Sequence, residues 1–360
     1  MPDFLKKYEI PERIRIGNRY ISHSDPVFVI AEIGNNHNGD YYLAKRTIEE
    51  ALKAGADAIK LQKRSVDDVF AKELLDREQT KDQIFGKTYG EYRKHLELDE
   101  DAYRKLKAMT EAAGAIFFAT PFDFKSADFL ENLGVELYKI ASFDSTNLPL
   151  LEHVARKGKP MIVSLGMCTL DEADEAVDTV LRHNPNLILL HCVSVYPTTD
   201  EHLRLRTVPF IKDRYNLPTG YSGHEPDILP TLAAVAMGAR TVERHITIDK
   251  ALPGPDHGTV SIAPGEFKTM VDSIRRLEIA LGKYEKVLLP EEQRARDKHS
   301  KSLVTTMAIP SGTVLTANMI TCKSPGYGLK PRMLPAVLGK KTLADIPEDT
   351  VITNEFIQWS

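Results

Sequence analysis

Two lysines lie inside apolar stretches of the chain rather than on a polar surface pattern. Lys60 stands in the segment AIKLQ and Lys139 in LYKIA. Lysine is rarely buried unless a carboxylate or an anionic ligand compensates its charge. Two such ammonium groups near several hydroxyls suit an oxyanion with two or three charges, such as phosphate. The sequence therefore predicts a phosphate-type site, with structural pairing to Glu32 or Asp144 as the alternative.

Two histidines indicate a second kind of chemistry. His224 lies in SGHE and His245 in ERHI, each at the end of a short apolar run and with Glu243 nearby. On adjacent strands their imidazoles would converge and suit a divalent metal with positions left for water and substrate. The alternative is a pair of hydrogen-bonded core histidines. Three further histidines compete for the ligand role: His37, His191 and His257.

Eight short runs rich in β-branched residues have to position these groups. The intervening segments carry apolar residues at three- and four-residue spacing, which is typical of helices. Successive runs are about 30 residues apart, the length of a strand with its crossover helix. The runs span residues 27–33, 58–62, 115–120, 135–141, 160–165, 187–192, 219–222 and 241–246. Eight such units in a row predict an α/β fold, the (β/α)8 TIM barrel.

Polar residues end every one of these runs. Functional side chains of such a barrel collect at the carboxyl ends of its strands, so these residues are expected to share one mouth. They are Glu32, Lys60, Gln62, Thr120, Lys139, Ser142, Ser164, His191, Ser194, Tyr196, Ser222, His224, Glu243 and His245. The PGPDH turn after the last run adds Asp256 to the same face.

The chain of 360 residues is long enough for one large barrel with an appendage. We assign residues 1–285 to the barrel, with a hairpin at 12–22 as a plug at its bottom. The long crossover at 63–99 is expected to be a lid. The charged, aperiodic segment 286–298 is predicted to be a linker, and residues 299–360 a small β-rich domain. A domain of this size is near the lower limit for independent stability.

Composition excludes several classes of protein. Lys and Arg number 47 against 51 Asp and Glu, a formal net charge of −4 with the signs interspersed, which disfavours nucleic acid and membrane partners. The three cysteines lie far apart and outside any CxxC, which argues against a disulfide framework and a thiolate zinc site. No apolar stretch has the length of a signal peptide core or a membrane helix. We expect a folded, soluble, cytoplasmic protein.

Nine motifs occur in order along the chain: EIGNNHNGD, KLQ, ATPF, YKIAS, SLGM, LLHCVSVYPT, GYSGHE, ERHITID and PGPD. Together they resemble the sialic acid synthase family, which includes N-acetylneuraminate and N-acetylneuraminate-9-phosphate synthases. KTYGEY followed by KHLEL is similar to the longer members of that family. The tail segments KSLVTTMAIPSGTVLT and KSPGYG resemble its antifreeze-like (SAF) domain. The resemblance therefore covers nearly the whole chain.

The resemblance implies a metal-dependent condensation of phosphoenolpyruvate with N-acetylmannosamine or its 6-phosphate. The products would be N-acetylneuraminate or its 9-phosphate, together with phosphate. It also implies a domain-swapped homodimer, in which the SAF domain closes the active site of the partner subunit. Alternatives stay open: a legionaminate, pseudaminate or KDN-type synthase, a Schiff-base aldolase with Lys139 as the nucleophile, or a non-catalytic carbohydrate-binding protein.

The resemblance also implies a role for each motif residue. Glu32, Lys60 and Lys139 would be catalytic, and phosphoenolpyruvate would be held by Lys60, Thr120, Lys139, Ser142, Ser164 and Ser222. Manganese or magnesium would be bound by His224 and His245, with Glu243 acting through water. The sugar would face Gln62, Asp144, Ser194, Tyr196, Asp256 and Ser324. Two of these depart from the pattern, because Ser194 replaces an Asn and Ser324 an Arg found in many members.

Overall fold

The computed structural model describes residues 2–360, which divide into two compact units after Gly282. The first unit opens with an antiparallel hairpin of β1 (Ile14–Ile16) and β2 (Arg19–Ile21). Its eight further strands are β3 (Phe28–Gly34), β4 (Ala58–Lys63), β5 (Ile116–Pro121), β6 (Tyr138–Ile140), β7 (Met161–Ser164), β8 (Leu187–Cys192), β9 (Thr219–Gly223) and β10 (Thr241–His245). Each falls within, or overlaps, one of the runs identified in the sequence.

These eight strands form one parallel sheet in the order β5-β4-β3-β10-β9-β8-β7-β6. The first strand, β3, pairs with the last, β10, so the chain order closes on itself. Strands β5 and β6, at the two ends of the hydrogen-bonded order, lie side by side. The sheet is therefore barrel-like, and the TIM-barrel prediction is confirmed.

Helices follow the strands and cover the outside of the sheet. They are α1 (Tyr41–Lys53), α2 (Val66–Val69), α3 (Lys72–Leu75), α4 (Tyr89–His95), α5 (Glu100–Ala112), α6 (Phe124–Leu133), α7 (Leu148–Ala155), α8 (Leu170–Leu181), α9 (Asp200–Leu203), α10 (Thr207–Tyr215), α11 (Leu229–Ala236) and α12 (Pro264–Leu281). Side-chain caps fix several starts: Asp40, Asp99 and Asp123 each accept a backbone N–H of the first turn of α1, α5 and α6.

Alternation along the strands separates the core from the central cavity. In β4, Ile59 and Leu61 are fully buried in the hydrophobic core. The residues between and after them, Lys60 and Gln62, line the cavity inside the barrel. Successive side chains of a strand point to opposite faces, so an apolar strand can carry polar groups at every second position. This alternation places the chemistry inside the barrel.

The hairpin of β1 and β2 lies at the amino ends of the barrel strands. Ile14, Ile16 and Ile21 are fully buried in the same core as the strands. Arg19 forms an ion pair of 2.6 Å with Asp57, the residue just before β4. The hairpin is thus held at the end of the barrel opposite the polar strand ends.

The long crossover between β4 and α5 is folded, with helices α2, α3 and α4 and a 3-10 turn at Gln83–Phe85. Aromatic contacts hold it together: the rings of Phe70 and Tyr89 lie 5.2 Å apart edge to face, and those of Phe85 and His95 stack at 4.9 Å. We call residues 64–99 the β4 insertion. It follows directly on the polar end of β4.

The second unit begins at Lys283 and has its own hydrophobic core, which includes Leu303, Leu315 and Ile352. Its elements are α13 (Gln293–His299), β11 (Ser302–Thr305), β12 (Ile320–Lys323), α14 (Leu334–Val337), β13 (Lys341–Thr342) and β14 (Ile357–Gln358). The segment 286–298, predicted to be a linker, thus contains most of a helix, α13. This helix is tied to the second unit, because the backbone N–H of Gly326 donates to the carbonyl of Asp297 at 2.7 Å. No helix of residues 2–360 has the length and apolar character needed to cross a membrane.

Candidate active site

A cavity of about 370 Å³ opens at the carboxyl ends of the barrel strands. Twelve side chains predicted for the site line it: Glu32, Lys60, Gln62, Thr120, Lys139, Ser142, Ser164, Tyr196, Ser222, His224, Glu243 and His245. Phe122, Ala141, Phe143 and Cys192 complete the wall with side chains that the sequence did not assign.

Strand register explains why these residues meet. Glu32 of β3 is paired with Lys60 of β4 on one side and with His245 of β10 on the other. Gln62 of β4 is paired with Thr120 of β5. Residues paired across parallel strands point to the same face of the sheet, so these five side chains converge.

Four charged groups form a buried cluster at the base of the cavity. Lys60 Nζ lies 2.8 Å from Glu32 Oε2 and 3.6 Å from Glu243 Oε1, and Lys139 Nζ also lies 3.6 Å from Glu243 Oε1. None of the four side chains is more than 5% exposed. The structural pairing with Glu32 that the sequence left open is therefore present for Lys60.

Burial shifts the proton affinities within this cluster. Burial raises the pKa of Glu32, and the charge of Glu243 adds to the effect, while Lys60 opposes it. Burial lowers the pKa of Lys139 despite the attraction of Glu243. The pKa of Lys60 is raised, since Glu243 and Glu32 outweigh the opposing effect of burial. A carboxyl whose pKa is raised above its usual value is suited to proton transfer.

Hydroxyl groups surround the two lysines. Lys60 Nζ donates to Thr120 Oγ1 at 3.2 Å, and Ser222 Oγ donates to Glu243 Oε1 at 3.2 Å. The hydroxyl of Ser164 is buried and has no hydrogen-bond partner among the described residues. A buried, unpaired hydroxyl is costly unless a ligand completes it. The two lysines and these hydroxyls therefore fit an anionic ligand.

The imidazoles of His224 and His245 lie with their ring centroids 5.5 Å apart. His224 Nδ1 is 3.0 Å from the carbonyl oxygen of Val193, which can only accept, so Nδ1 carries the hydrogen and Nε2 keeps its lone pair. His245 Nδ1 is buried without a hydrogen-bond partner in the described chain, with Asp256 Oδ2 3.9 Å away. Both rings thus have a nitrogen available for a metal.

The residues present fit a divalent ion held by two protein ligands. Glu243 Oε2 is buried and unpaired in the part of the chain described, as a group acting through water would be. Within residues 2–360, no three His, Cys, Asp or Glu side chains are grouped to hold one ion. The other coordination positions would therefore fall to water and substrate.

The three rival histidines are engaged elsewhere. His191 Nε2 lies 2.7 Å from the carbonyl of Leu203, and His257 Nδ1 lies 2.6 Å from Thr247 Oγ1. His37 Nδ1 accepts from the backbone N–H of Gly39. These contacts support His224 and His245 as the pair suited to a metal.

Two residues expected to face the sugar lie in the cavity wall and a third lies beside it. Gln62 and Tyr196 line the cavity, and the Tyr196 ring lies 4.1 Å from the ring of His224. Asp256 lies next to His245, and burial raises the pKa of its carboxyl. These three groups can bind a polyhydroxylated substrate next to the imidazoles.

Asp144 and Ser194 are not part of the cavity wall. Asp144 accepts a hydrogen bond of 2.9 Å from Asn147 and pairs with neither lysine among the described residues. Ser194 Oγ is buried without a partner there, close to Gly166, where an added Cβ would come within 2.7 Å of it. Neither residue is therefore among the groups that line the cavity.

Ser324 belongs to the second unit. Its hydroxyl donates to the carbonyl of His299 and accepts from Lys301 Nζ, both at 3.0 Å. These two bonds show that the serine shapes the turn that follows β12.

Among the residues of the site that sequence reasoning missed, two contact its polar side chains. Cys192 was considered only as one of three cysteines without a disulfide or zinc role, yet it lines the cavity with Sγ 3.9 Å from His224 Nδ1. The alternation of β8 was a usable signal, since it turns His191 outward and Cys192 inward. Arg64 follows β4 and contacts both Gln62 and Phe122, and no pattern in the sequence marks it.

Comparisons with known proteins agree with this geometry. The NeuB family model matches residues 47–286, and the SAF domain model matches residues 300–358. The N-acetylneuraminate-9-phosphate synthase of Homo sapiens is 41% identical over 94% of this chain and 95% of its own. The N,N'-diacetyllegionaminic acid synthase of Legionella pneumophila is 37% identical over 92% and 94%.

A solved structure is also similar. The N-acetylneuraminic acid synthetase of Leptospira borgpetersenii, crystallised with citrate, has a TM-score of 0.70 and 35% identity. The match covers 80% of this chain and 96% of that one.

Proposed function

The chain belongs to the NeuB family, and we propose on that basis that it joins phosphoenolpyruvate to N-acetylmannosamine or its 6-phosphate. The products are N-acetylneuraminate or its 9-phosphate and inorganic phosphate. The chain is an enzyme of the transferase type that condenses phosphoenolpyruvate with a sugar. The observation that carries the proposal is the single cavity in which two buried lysines, several hydroxyls and two imidazoles meet.

The positive charges at the base of the cavity suit phosphoenolpyruvate, which is an anion. Lys60 and Lys139 supply two ammonium groups within one buried cluster. Thr120, Ser142, Ser164 and Ser222 add hydroxyls that donate to phosphate or carboxylate oxygens. The low exposure of the lysines strengthens the attraction, because little water competes with it.

The metal is proposed as manganese or magnesium, held by His224 and His245, with Glu243 acting through water. When bound, such an ion supplies Lewis-acid polarisation of the sugar aldehyde. Val193 contributes by fixing the tautomer of His224 through its carbonyl. The buried, unpaired Nδ1 of His245 supports this assignment.

The reaction forms one carbon–carbon bond and breaks one carbon–oxygen bond. The enol carbon of phosphoenolpyruvate attacks the aldehyde carbon, and water adds to C2 as positive charge develops there. Glu32 takes the proton released by that water, which balances the proton taken up by the former aldehyde oxygen. The C2–O bond to phosphate then breaks as the new C2 hydroxyl becomes the keto oxygen and its proton passes to the departing phosphate, whose charge Lys60 and Lys139 stabilise.

The sugar is placed by Gln62, Tyr196 and Asp256 on the outer side of the cavity. Asp144, Ser194 and Ser324 are kept as sugar-facing candidates on the family resemblance. A legionaminate, pseudaminate or KDN-type product uses the same chemistry on a related sugar, and the Legionella relative is a diacetyllegionaminic acid synthase.

Mass spectrometry of the products tests the proposal. Phosphoenolpyruvate is offered with N-acetylmannosamine, N-acetylmannosamine 6-phosphate and mannose 6-phosphate in separate reactions with added manganese. We expect an N-acetylated acid with a nine-carbon backbone from one of the N-acetyl sugars, with release of one phosphate per product. No product from either N-acetyl sugar would contradict the proposed substrate.

A Schiff-base aldolase is the second candidate, because burial lowers the pKa of Lys139 and so favours an amine nucleophile. Borohydride reduction in the presence of pyruvate separates the two. A covalent adduct on Lys139 supports the aldolase. Dependence on phosphoenolpyruvate and metal without any adduct supports the synthase.

Assembly and location complete the proposal. We expect a homodimer in which the SAF domain of one subunit closes the site of the other, as the family resemblance implies. A reducing cytoplasm fits the three cysteines, which are all free.

A further inference from the structure

The side-chain amide of Gln62 is held on both of its ends. Its nitrogen donates to Glu32 Oε1 at 2.7 Å. Its oxygen accepts from the Nη2 group of Arg64 and from Asn35 Nδ2, the latter at 3.3 Å. Gln62 therefore connects Arg64, at the start of the β4 insertion, to the carboxylate proposed as the base.

Only one orientation of this amide satisfies its neighbours. The oxygen and the nitrogen of a glutamine amide are nearly the same size, so chemistry rather than shape has to distinguish them. A flip by 180° would set the NH2 group against the guanidinium of Arg64 and the carbonyl oxygen against Glu32. Both contacts would then be repulsive, so Arg64 decides which end of Gln62 faces the carboxylate.

Arg64 is itself firmly placed. Its side chain is 4% exposed, and its guanidinium carbon lies 3.9 Å from the centroid of the Phe122 ring, which lines the cavity. Its Nη1 donates to Asn35 Oδ1 at 3.3 Å, and its backbone N–H donates to Glu97 Oε2 at 3.1 Å. Burial and the nearby charge of Arg93 lower the pKa of Arg64 only to about 10, so it stays charged at neutral pH.

We propose that Arg64 is a positioning residue of the active site, which fixes the amide of Gln62 and through it one oxygen of Glu32. The inference deepens the proposed function, on whose assay its kinetic test rests. With its oxygen occupied by Arg64 and Asn35, Gln62 has only an N–H left to offer the cavity. The sugar atom that meets Gln62 is therefore a hydrogen-bond acceptor, a hydroxyl or carbonyl oxygen.

A double-mutant cycle tests whether Arg64 acts through Gln62. The variants are Arg64→Ala, Gln62→Ala and both together, each checked for an unchanged thermal unfolding midpoint. We expect Arg64→Ala to lower kcat/KM by about 10- to 150-fold, the range for a lost hydrogen bond to a charged group. In the Gln62→Ala background, Arg64→Ala is expected to lower kcat/KM by less than about twofold, because the amide that Arg64 orients is no longer present.

Two further variants separate orientation from charge. Arg64→Lys keeps the charge but loses the planar fork that serves Gln62 and Asn35 together, so we expect a loss close to that of Arg64→Ala. Arg93→Ala removes a guanidinium that packs on Phe70 and Tyr89 in the same insertion, and we expect less than about a threefold loss. Additive effects in the cycle, or an Arg93→Ala loss equal to that of Arg64→Ala, would overturn the proposal.

A crystal structure of the Arg64→Ala enzyme gives a readout that needs no turnover. We expect the Gln62 amide to leave Glu32 or to rotate, with its two ends assigned from their hydrogen-bond partners. An unchanged Gln62–Glu32 contact would overturn the inference even if the wild type makes product. A wild type that makes no product, combined with a displaced Gln62, would instead contradict the proposed function and leave the role of Arg64 intact.

Discussion

Glu225 and Arg244 form an ion pair of 2.8 Å in which both side chains are at most 1% exposed, and each residue adjoins one imidazole of the cavity. Glu225 follows His224 and Arg244 precedes His245. Tyr221 donates its hydroxyl to the same carboxylate at 2.8 Å. The pair therefore links the two histidine-bearing strand ends on the face turned away from the cavity.

Removing one partner of this pair is expected to destabilise the barrel strongly. Glu225→Ala leaves the Arg244 guanidinium buried without its counter-charge, which costs about 3–5 kcal/mol of unfolding free energy. Urea unfolding measures the change, with Glu50→Ala as the control, since its ion pair with Lys53 is exposed and worth at most about 1 kcal/mol. Equal losses in the two variants would refute this account of the buried pair.

Replacing His245 with Ala is expected to abolish product formation. A single remaining imidazole cannot hold a divalent ion whose other ligands are weakly bound oxygens. Chelation with EDTA should have the same effect on the wild type, and titration calorimetry should show weaker manganese binding by the variant. Full activity after exhaustive chelation would remove the metal from the mechanism.

Deleting residues 283–360 is expected to leave a folded barrel that forms no product. The first unit has its own extensive core, so its circular dichroism and cooperative melting should persist. Analytical ultracentrifugation of the full chain should give a dimer. A truncated enzyme with unchanged kcat/KM would show that the SAF domain does not complete the site.

Discrimination in favour of N-acetyl sugars is expected to be modest. The family resemblance implies that Ser324 stands where many members have Arg; if that Arg binds the N-acetyl carbonyl, this chain lacks one charge-assisted hydrogen bond worth about 1.5–3 kcal/mol. We expect measurable turnover of mannose or its 6-phosphate, and a stronger N-acetyl preference in Ser324→Arg. A wild-type preference above about a thousandfold, or about 4 kcal/mol, would mean that another group makes the contact.

Stability should fall as the pH is lowered below about 6.5, partly because of His37. Burial, helped by the charge of Arg64, lowers the pKa of His37 to about 3. Between this value and 6.5 the unfolded chain binds the extra proton, so the stabilisation is complete above pH 6.5 and declines toward pH 3. Wild type should lose about 2 kcal/mol more than His37→Asn between pH 7 and pH 5, measured by urea unfolding. Parallel losses in the two proteins would show that His37 titrates normally.

The barrel and most of its cavity could be predicted because period-two alternation in a buried strand is visible in sequence. Lys60 and Gln62 are out of place in an apolar strand, and alternation sends both to the same side. The same rule also corrects the end of β8, where Cys192 rather than His191 lines the cavity. Strand β6 is shorter than its apolar run, because only Tyr138–Ile140 pair with β7.

The contacts that could not be predicted join residues distant in sequence. The ion pair of Glu225 and Arg244 depends on which strands are neighbours and on how their loops pack. The bonds from Arg64 and Asn35 to Gln62 depend on the path of the chain after β3 and β4. Local pattern carries information on which side chains turn inward, but not on the partners that orient them.

The attachment of the β4 insertion has an evolutionary consequence. Glu97 lies near the end of the insertion and accepts hydrogen bonds from the backbone N–H of Arg64 and from the ammonium of Lys63, where the insertion begins. The two ends of the insertion are therefore held together next to Gln62. Because Gln62 is proposed to face the sugar, we expect substitutions in this segment to change which acceptor sugars bind while the strands that carry Lys60 and Lys139 stay the same. A change of sugar preference would then need only changes in a peripheral segment and would leave the phosphate-binding chemistry undisturbed.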